Sequence, residues 1–124
     1  MAVARELRWW WNVSKLFGSR KAVILSLQNP REKIWGVLLS INSFGLTIRG
    51  IDINSFEDWA RSVANRTETM GLSTMFIPMI RVEKATIDEP AGICKSFSEQ
   101  FYERVGQSVL EYLDLPEDED LLSL

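Results

Sequence analysis

Few residues of this chain are suited to chemistry. It contains no histidine and a single cysteine, Cys94. This composition excludes nucleophile systems that need a histidine base, histidine-bearing metal sites and multi-cysteine metal sites. A single cysteine also fits a reducing compartment, since it cannot form an internal disulfide. The sequence therefore predicts a protein that is not an enzyme and that has no metal or other cofactor.

Two carboxylates at one junction are the remaining candidates for acid–base work or for holding a hard cation. They are Asp52, which follows an alternating apolar segment, and Asp58, which lies near the start of a helical pattern. Both also have a structural explanation, because Asp52 can close a turn and Asp58 favours the positive end of a helix that Ser55 would cap. Capping explains each residue without a substrate, so we favour it over a catalytic site.

Basic residues could serve a nucleic-acid ligand. Arg49 and Arg81 are candidates for one rim of the domain, although residues 22–96 carry no net charge. Binding single-stranded RNA also needs aromatic side chains on which bases can stack. We assign the available aromatics, Trp35 and Phe76, to the core instead. RNA binding is therefore an alternative and not the favoured function.

The N-terminal head is basic and rich in tryptophan. Residues 1–21 carry a net charge of +4 and include the consecutive residues Trp9, Trp10 and Trp11, whereas residues 97–124 carry −7. Tryptophan with basic neighbours suits an anionic membrane surface, an RNA backbone or a protein interface. Three successive rings cannot share one helix face, because successive residues lie about 100° apart. We expect one or two of these rings to pack on the folded domain, and a membrane-surface adaptor is the second alternative.

Four apolar segments predict strands, and the first three of them form an antiparallel meander. They are β-branched or alternate in polarity, and turn residues separate them. They cover residues 22–28, 34–41, 46–51 and 72–82, and the last runs on to residue 87. Gly36 lies where a sharply bent strand would exclude a side chain. Pro78 cannot donate to a ladder, so it should mark a bulge, an edge or a break that divides the last segment into two strands.

A helix is predicted between the third and fourth strands. It covers residues 55–69 and places Phe56 and Trp59 on one apolar stripe. Ser55 and Asp58 resemble a capping box at its start, with aspartate in place of glutamate. The helix should bury this stripe against the strands and leave its charged residues in water.

A second amphipathic helix is predicted near the C-terminus. It begins at a capping box over residues 96–99 and contains Gly106, which weakens it by about 1 kcal/mol relative to alanine. No segment of the chain approaches the roughly 18 apolar residues of a membrane span, so we expect a cytoplasmic protein. The expected divisions are a basic leader at 1–20, a domain at 21–89, the C-terminal helix at 90–115 and an acidic tail at 116–124.

Two short motifs resemble those of Sm-like proteins. Gly36 and Leu38 followed by Asn42 resemble the first Sm motif, in which an amide or acidic residue lies at the turn after a bent strand. The segment Ile-Pro-Met at 77–79 followed by Val82 resembles the second. Its proline and methionine stand where the family carries the Arg-Gly pair that helps to hold a uridine. The resemblance covers about residues 20–88 and implies a ring-forming, RNA-binding fold.

The predicted fold is mainly β, of the α+β class. It is a small five-stranded, strongly bent antiparallel barrel of the Sm-like or SH3-like kind over about residues 20–88, with a helix inserted before the fourth strand and an amphipathic C-terminal helix. Such barrels have open strand edges that readily pair between subunits. The fold thus adds a reason to expect contact with another protein chain.

The favoured function is protein–protein interaction, with self-association as its simplest form. No catalytic group remains, and two amphipathic helices accompany one small barrel. Phe56 and Trp59 on the inserted helix are predicted contact residues, together with the three tryptophans of the head. The alternative is an Sm-like ring whose RNA-contacting residues would be Asn42, Arg49 and Arg81. No small-molecule substrate is expected.

Overall fold

The computed structural model describes residues 20–115. Its strands are β1 (Ala22–Leu27), β2 (Glu32–Asn42), β3 (Gly45–Asp52), β4 (Ser73–Pro78) and β5 (Val82–Ile87). They form a five-stranded sheet in the order β4-β3-β2-β1-β5, and every neighbouring pair is antiparallel. The predicted meander is confirmed, and so is the division of the last apolar segment at Pro78.

On one face of the sheet, here called the inner face, side chains from different strands pack against one another. Its buried residues come from β1, β2, β3 and β4 and form one cluster: Val23, Leu25, Leu27, Ile34, Leu38, Leu46, Ile48 and Ile77. Half-buried residues of β5 pack against the same cluster: Val82, Ala85 and Ile87. All five strands contribute to it and no helical residue does, so the sheet must bend around these side chains.

Two glycines allow this bend. Gly36 of β2 and Gly50 of β3 are direct partners across the ladder. A Cβ atom on Gly50 would lie 2.4 Å from the carbonyl oxygen of Trp35, and one on Gly36 would lie 2.5 Å from that of Arg49. Both distances are far inside van der Waals contact, so the two strands approach as closely as they do only because neither residue has a side chain.

The sheet is not closed into a barrel, in contrast to the prediction. Strands β4 and β5 are its two edges, and no ladder joins them within residues 20–115. The short 3-10 helix Met79–Arg81 carries the chain from one edge to the other. Gln28, in the turn after β1, holds this 3-10 helix in place. Its backbone amide donates to the carbonyl oxygen of Arg81 at 2.9 Å, and its side-chain amide donates to that of Ile80 at 3.1 Å. A three-residue segment therefore links the two edges.

The opposite face, here called the helix face, is covered by α1 (Phe56–Ala64), α2 (Phe97–Val105) and α3 (Val109–Leu113). Its buried cluster is Trp35, Val37, Phe56, Trp59, Ala60, Val63, Phe101 and Val109. The aromatic rings meet edge-on or stacked, with ring centroids 4.8 Å apart for Trp35 and Phe56 and 5.0 Å apart for Trp59 and Phe101. Such pairs stabilise a core beyond the area they bury.

The start of α1 differs from the predicted capping box. Ser55 makes no side-chain capping bond and instead ends a 3-10 turn, Ile53–Ser55, that precedes the helix. Asp52 supplies the cap of that turn by accepting from the Asn54 amide at 2.8 Å. The helix also ends at Ala64 and not at residue 69, because Arg66 and Glu68 adopt left-handed backbone angles that a helix cannot continue through.

The C-terminal helix is divided in two. Its predicted capping box is confirmed, since the Ser96 hydroxyl accepts from the Glu99 amide at 3.0 Å and the Glu99 carboxylate accepts from the Ser96 amide at 3.1 Å. Gly106 does more than weaken the helix: at φ 89° it ends α2, and α3 restarts after Ser108. A left-handed glycine is a common way to end a helix.

Asp88, just after β5, ties the sheet to the helices. Its carboxylate accepts from the indole N–H of the buried Trp35 at 3.0 Å, from the Phe97 amide at 2.9 Å, and from the Ser98 amide and hydroxyl, both at 2.8 Å. The sequence predicted only a loop here. A buried indole needs an acceptor, but nothing local to Asp88 indicates that it would reach a helix start nine residues later.

Candidate functional site

The two carboxylates that could have formed a catalytic pair have separate structural partners. Asp52 caps the turn before α1, and Asp58 lies on the exposed side of α1, 3.2 Å from the guanidinium of Arg61. No group of three or more side chains within residues 20–115 is arranged to hold a metal ion. Asp52 therefore caps a turn and Asp58 lies in the first turn of α1, as the capping explanation predicted, but the Ser55 cap of that explanation is absent.

The predicted RNA-contacting residues each make intramolecular hydrogen bonds. The Asn42 side chain accepts from the amides of Phe44 at 2.8 Å and Gly45 at 3.3 Å, which closes the turn between β2 and β3. Arg81 donates to the carbonyl oxygens of residues 28 and 30, at 3.2 and 2.8 Å. Arg49 donates to the Thr74 hydroxyl at 3.1 Å. The structure thus gives each of these three side chains an intramolecular hydrogen-bond partner.

Arg49 also influences a tyrosine of α3. The pKa of Tyr112 is raised above its usual value, first by burial and then by the nearby charge of Glu68, while Arg49 opposes both. Tyr112 packs against Trp59 with ring centroids 6.2 Å apart. Arg49 is therefore part of the border of the helix face, where β3 meets the helices.

The predicted contact residues of the inserted helix are not at the surface. Phe56 is 2% exposed and Trp59 1% exposed, so neither side chain is presented to a partner. The other predicted contacts, Trp9, Trp10 and Trp11, lie outside the described residues, as does the acidic tail. The helices use their apolar stripes to cover the sheet.

Three exposed large apolar side chains of residues 20–115 lie at one corner of the sheet, while Ile93 is exposed in the loop before α2 and Tyr102 on α2. Phe44 is 80% exposed, Phe76 55% and Ile80 83%. The turn that carries Phe44 is bonded to the end of β4, because the Met79 amide donates to the Phe44 carbonyl oxygen at 2.8 Å. Gly45 is the ladder partner of Pro78, which keeps the two segments together. The candidate site is this edge of the sheet, and its three exposed residues, at the turn before β3, on β4 and just after β4, are here called the β4 patch.

Sequence reasoning assigned Phe76 to the core, and the structure corrects this. Met75 and Ile77 point to the inner face, so Phe76 between them points to the opposite face. That face is covered by helices over β2 but not over Phe76 at the edge. The alternation of Thr74, Met75, Phe76 and Ile77 was the signal that could have shown it.

The backbone of β4 is available for pairing on its outer side. In antiparallel ladders, bonded and non-bonded pairs alternate. The hydrogen bond from the Met79 amide to the Phe44 carbonyl shows that Met79 belongs to a bonded pair. Every second residue of β4 does the same, so Ile77 and Met75 are hydrogen-bonded to β3. Thr74 and Phe76 therefore direct their N–H and C=O groups outward. No strand within residues 20–115 pairs with this side of β4.

The two sheet edges differ in charge. Strand β4 carries no charged residue, whereas β5 exposes Glu83 and Lys84. Charged residues on an edge strand discourage pairing with another chain, and an uncharged edge with exposed aromatics invites it. Pro78 limits the unprotected edge to the length of β4, because it has no N–H to offer.

The clefts of the described part of the chain are less distinctive. A cleft of about 480 Å³ opens beside the turn between β1 and β2, and its charged lining includes both signs: Arg31, Glu32, Lys33, Asp52, Glu83 and Lys84. Ligand pockets are mostly apolar with a few convergent polar groups, and this cleft has the opposite character. It offers no basis for choosing a ligand.

Comparison of the chain with protein-family models, with curated proteins and with solved structures gives no match. The resemblance to Sm-like proteins therefore stays a prediction. Of the helices in residues 20–115, none is both long and apolar enough to cross a membrane. The candidate site thus stands on its geometry alone.

Proposed function

We propose that this protein self-associates by adding a strand of a second copy to the free edge of β4. The observation that carries the proposal is the combination, at one edge, of outward-facing backbone groups and exposed apolar side chains. Thr74 and Phe76 provide the backbone donors and acceptors, and Phe44, Phe76 and Ile80 provide the apolar surface. We expect this association to take place in the cytoplasm.

Strand addition fits these features better than docking by a helix. The apolar stripe of α1 is already buried against the sheet, and its outer side carries ion pairs between Arg61 and the carboxylates of Glu57 and Asp58. In strand addition, backbone hydrogen bonds contribute affinity and alternate side chains contribute specificity. The β4 patch supplies both, which moves the expected contact from the helices to the sheet edge.

The alternatives gain no support from the described residues. An RNA-binding ring would use Asn42, Arg49 and Arg81, whose polar groups have intramolecular partners. A membrane-surface adaptor would rest on the tryptophans of the head, which lie outside the described residues. Self-association therefore remains the function that the geometry supports best.

Sedimentation of the full chain over a range of concentrations tests the proposal. Wild-type protein should be a concentration-dependent oligomer. The variant F76K places a charge on the β4 edge and removes its exposed ring, so the dissociation constant should rise at least about 30-fold, or about 2 kcal/mol. The loss comes from burying an ammonium group in an apolar contact.

The matched control is T86K on the other edge, where Thr86 is exposed and follows Lys84 by two residues. This substitution introduces the same charge and should leave the dissociation constant within about threefold of wild type. A wild-type protein that stays monomeric at every concentration contradicts the proposal. Equal weakening by F76K and T86K would also contradict it, because the β4 edge would then have no special role.

A further inference from the structure

The two edges of the sheet allow different pairings, and the direction of their backbone groups distinguishes them. We infer that two copies meet through β4 alone, across a two-fold axis at Met75, so that their sheets join into one continuous sheet. This inference rests on the self-association proposed above. It names the partner surface as the same β4 edge of a second copy.

The outward groups of β4 and β5 belong to residues on opposite faces. On β4 they belong to Thr74 and Phe76, which lie on the helix face. On β5 the bond from the Asp88 amide to the Ala22 carbonyl, at 3.0 Å, sets the alternation. Its outward groups therefore belong to Ala85 and Ile87, and both of these side chains pack against the inner-face cluster.

Residues opposite each other in an antiparallel ladder have side chains on the same face. An antiparallel pairing of β4 with β5 of the partner subunit would thus join the helix face of one sheet to the inner face of the next. Pairing β4 with β4 joins helix face to helix face. Pairing β5 with β5 would also join like faces, inner face to inner face. The exposed charges of Glu83 and Lys84 discourage pairing at that edge.

The register follows from Pro78. With the axis at Met75, Thr74 lies opposite Phe76 of the partner subunit, and each outward N–H meets a C=O. An axis at Phe76 would place Pro78 opposite Thr74 of the partner subunit, and proline has no N–H to donate. An axis at Thr74 would place Phe76 opposite Leu72 of the partner subunit, which precedes β4. Of these three registers, only the Met75 axis pairs every N–H and C=O of Thr74 and Phe76 with a residue of β4 in the partner subunit.

Charge identifies a second copy as the occupant. Residues 69–80, which contain β4 and its flanks, carry no charge. Two copies can therefore approach across a two-fold axis without placing like charges opposite each other. A strongly acidic or basic peptide would find no complementary group along the strand. The edge suits a partner that is itself uncharged and apolar there, and β4 is such a segment.

Disulfide trapping tests the axis directly. In the proposed register, Met75 faces Met75 of the partner subunit as a non-bonded pair, for which the Cα atoms lie about 4.5 Å apart and within disulfide range. The full-chain variant M75C/C94S, which has no other cysteine, should therefore form a covalent dimer under mild oxidation. Adding F76K to this variant should abolish the dimer band.

The matched control is T86C/C94S, which places a cysteine at the corresponding position of β5. It should remain monomeric on a non-reducing gel. A protein whose association F76K weakens but T86K does not, and in which M75C/C94S forms no covalent dimer, keeps the proposed strand addition at β4 and overturns the axis at Met75. A wild-type protein that is monomeric at all concentrations overturns both.

Amide hydrogen exchange on the wild-type protein gives a second measurement that needs no substitution in the core. Exchange is compared above and below the concentration at which half of the chains associate. The Thr74 and Phe76 amides should slow at least about tenfold on association, because they gain acceptors. The amides of Ala85 and Ile87 should not change. Slowing at Ala85 and Ile87 with no change at Thr74 and Phe76 would overturn the inference.

Discussion

At the scale of single residues, Asp88 joins parts of the chain that are distant in sequence. Its carboxylate receives the N–H of Trp35, a buried core residue, and two amides and a hydroxyl at the start of α2. Three of these donors meet Oδ2 and one meets Oδ1, and the negative charge of the carboxylate favours such a concentration of donors. An isosteric amide has one oxygen only and adds donors where donors already point.

We therefore expect D88N to destabilise the fold by about 2 to 3 kcal/mol, since a hydrogen bond to a charged acceptor is lost and a donor is left without a partner. Urea unfolding followed by far-ultraviolet circular dichroism measures this. The control E89Q removes the same charge at the exposed neighbour and should change stability by less than about 0.5 kcal/mol. Equal stability of D88N and E89Q would show that the four hydrogen bonds contribute nothing net.

Phe76 shows that hydrophobicity alone does not predict whether a side chain is buried. Its hydrophobicity indicated a core position, and the alternation along β4 indicated the opposite face. Alternation is the better guide within a strand, because side-chain direction is fixed by the pleat. Whether the outer position is covered depends on where the helices end, and the sequence does not show that α1 stops at Ala64.

At the scale of elements, the strands were largely predictable and the closure of the sheet was not. Apolar runs, turn residues and Pro78 predicted the positions of all the strands, since these are local properties. Closure depends on whether the edges β4 and β5 meet. In the structure they do not pair, and the 3-10 helix Met79–Arg81 between them is bonded to Gln28, a contact between distant segments that local sequence patterns do not show.

The bend in the sheet also depends on a contact between residues that are distant in sequence, Gly36 and Gly50. Gly36 was predicted to lie in a bent strand, but Gly50 opposite it was not singled out, although each makes room for the other's strand. A Cβ on Gly50 would meet the backbone of Trp35 and of Gly36, which cannot move aside as a flexible side chain could. The close approach therefore needs both glycines.

G50A should destabilise the protein by about 3 kcal/mol, because the strands must separate to admit the methyl group. The measurement is again urea unfolding. G71A is the matched control, since a Cβ on Gly71 has no atom within 4 Å and the backbone there is not left-handed. It should leave stability unchanged or raise it by up to about 1 kcal/mol. If G50A is as stable as G71A, the ladder is looser at this point than its geometry implies.

At the scale of the whole molecule, two sources of self-association can be separated by salt. The β4 edge is uncharged, so pairing there depends on backbone hydrogen bonds and apolar contact. The ends of the chain offer another source, because residues 1–21 carry +4 and residues 97–124 carry −7. Opposite charges of this size could pair between copies, and such pairing weakens as the Debye length shortens.

Association through β4 should therefore change little with salt. We expect the dissociation constant from sedimentation to vary less than about threefold between about 50 mM and about 500 mM sodium chloride, because only the repulsion between copies of net charge −3 is screened. Recording F76K over the same range checks that any residual association has a different origin. A rise of tenfold or more for wild type would point to pairing of the charged ends. A peak with excess absorbance at 260 nm that disappears at high salt would instead indicate bound RNA, whose backbone contacts release counterions and lose affinity steeply.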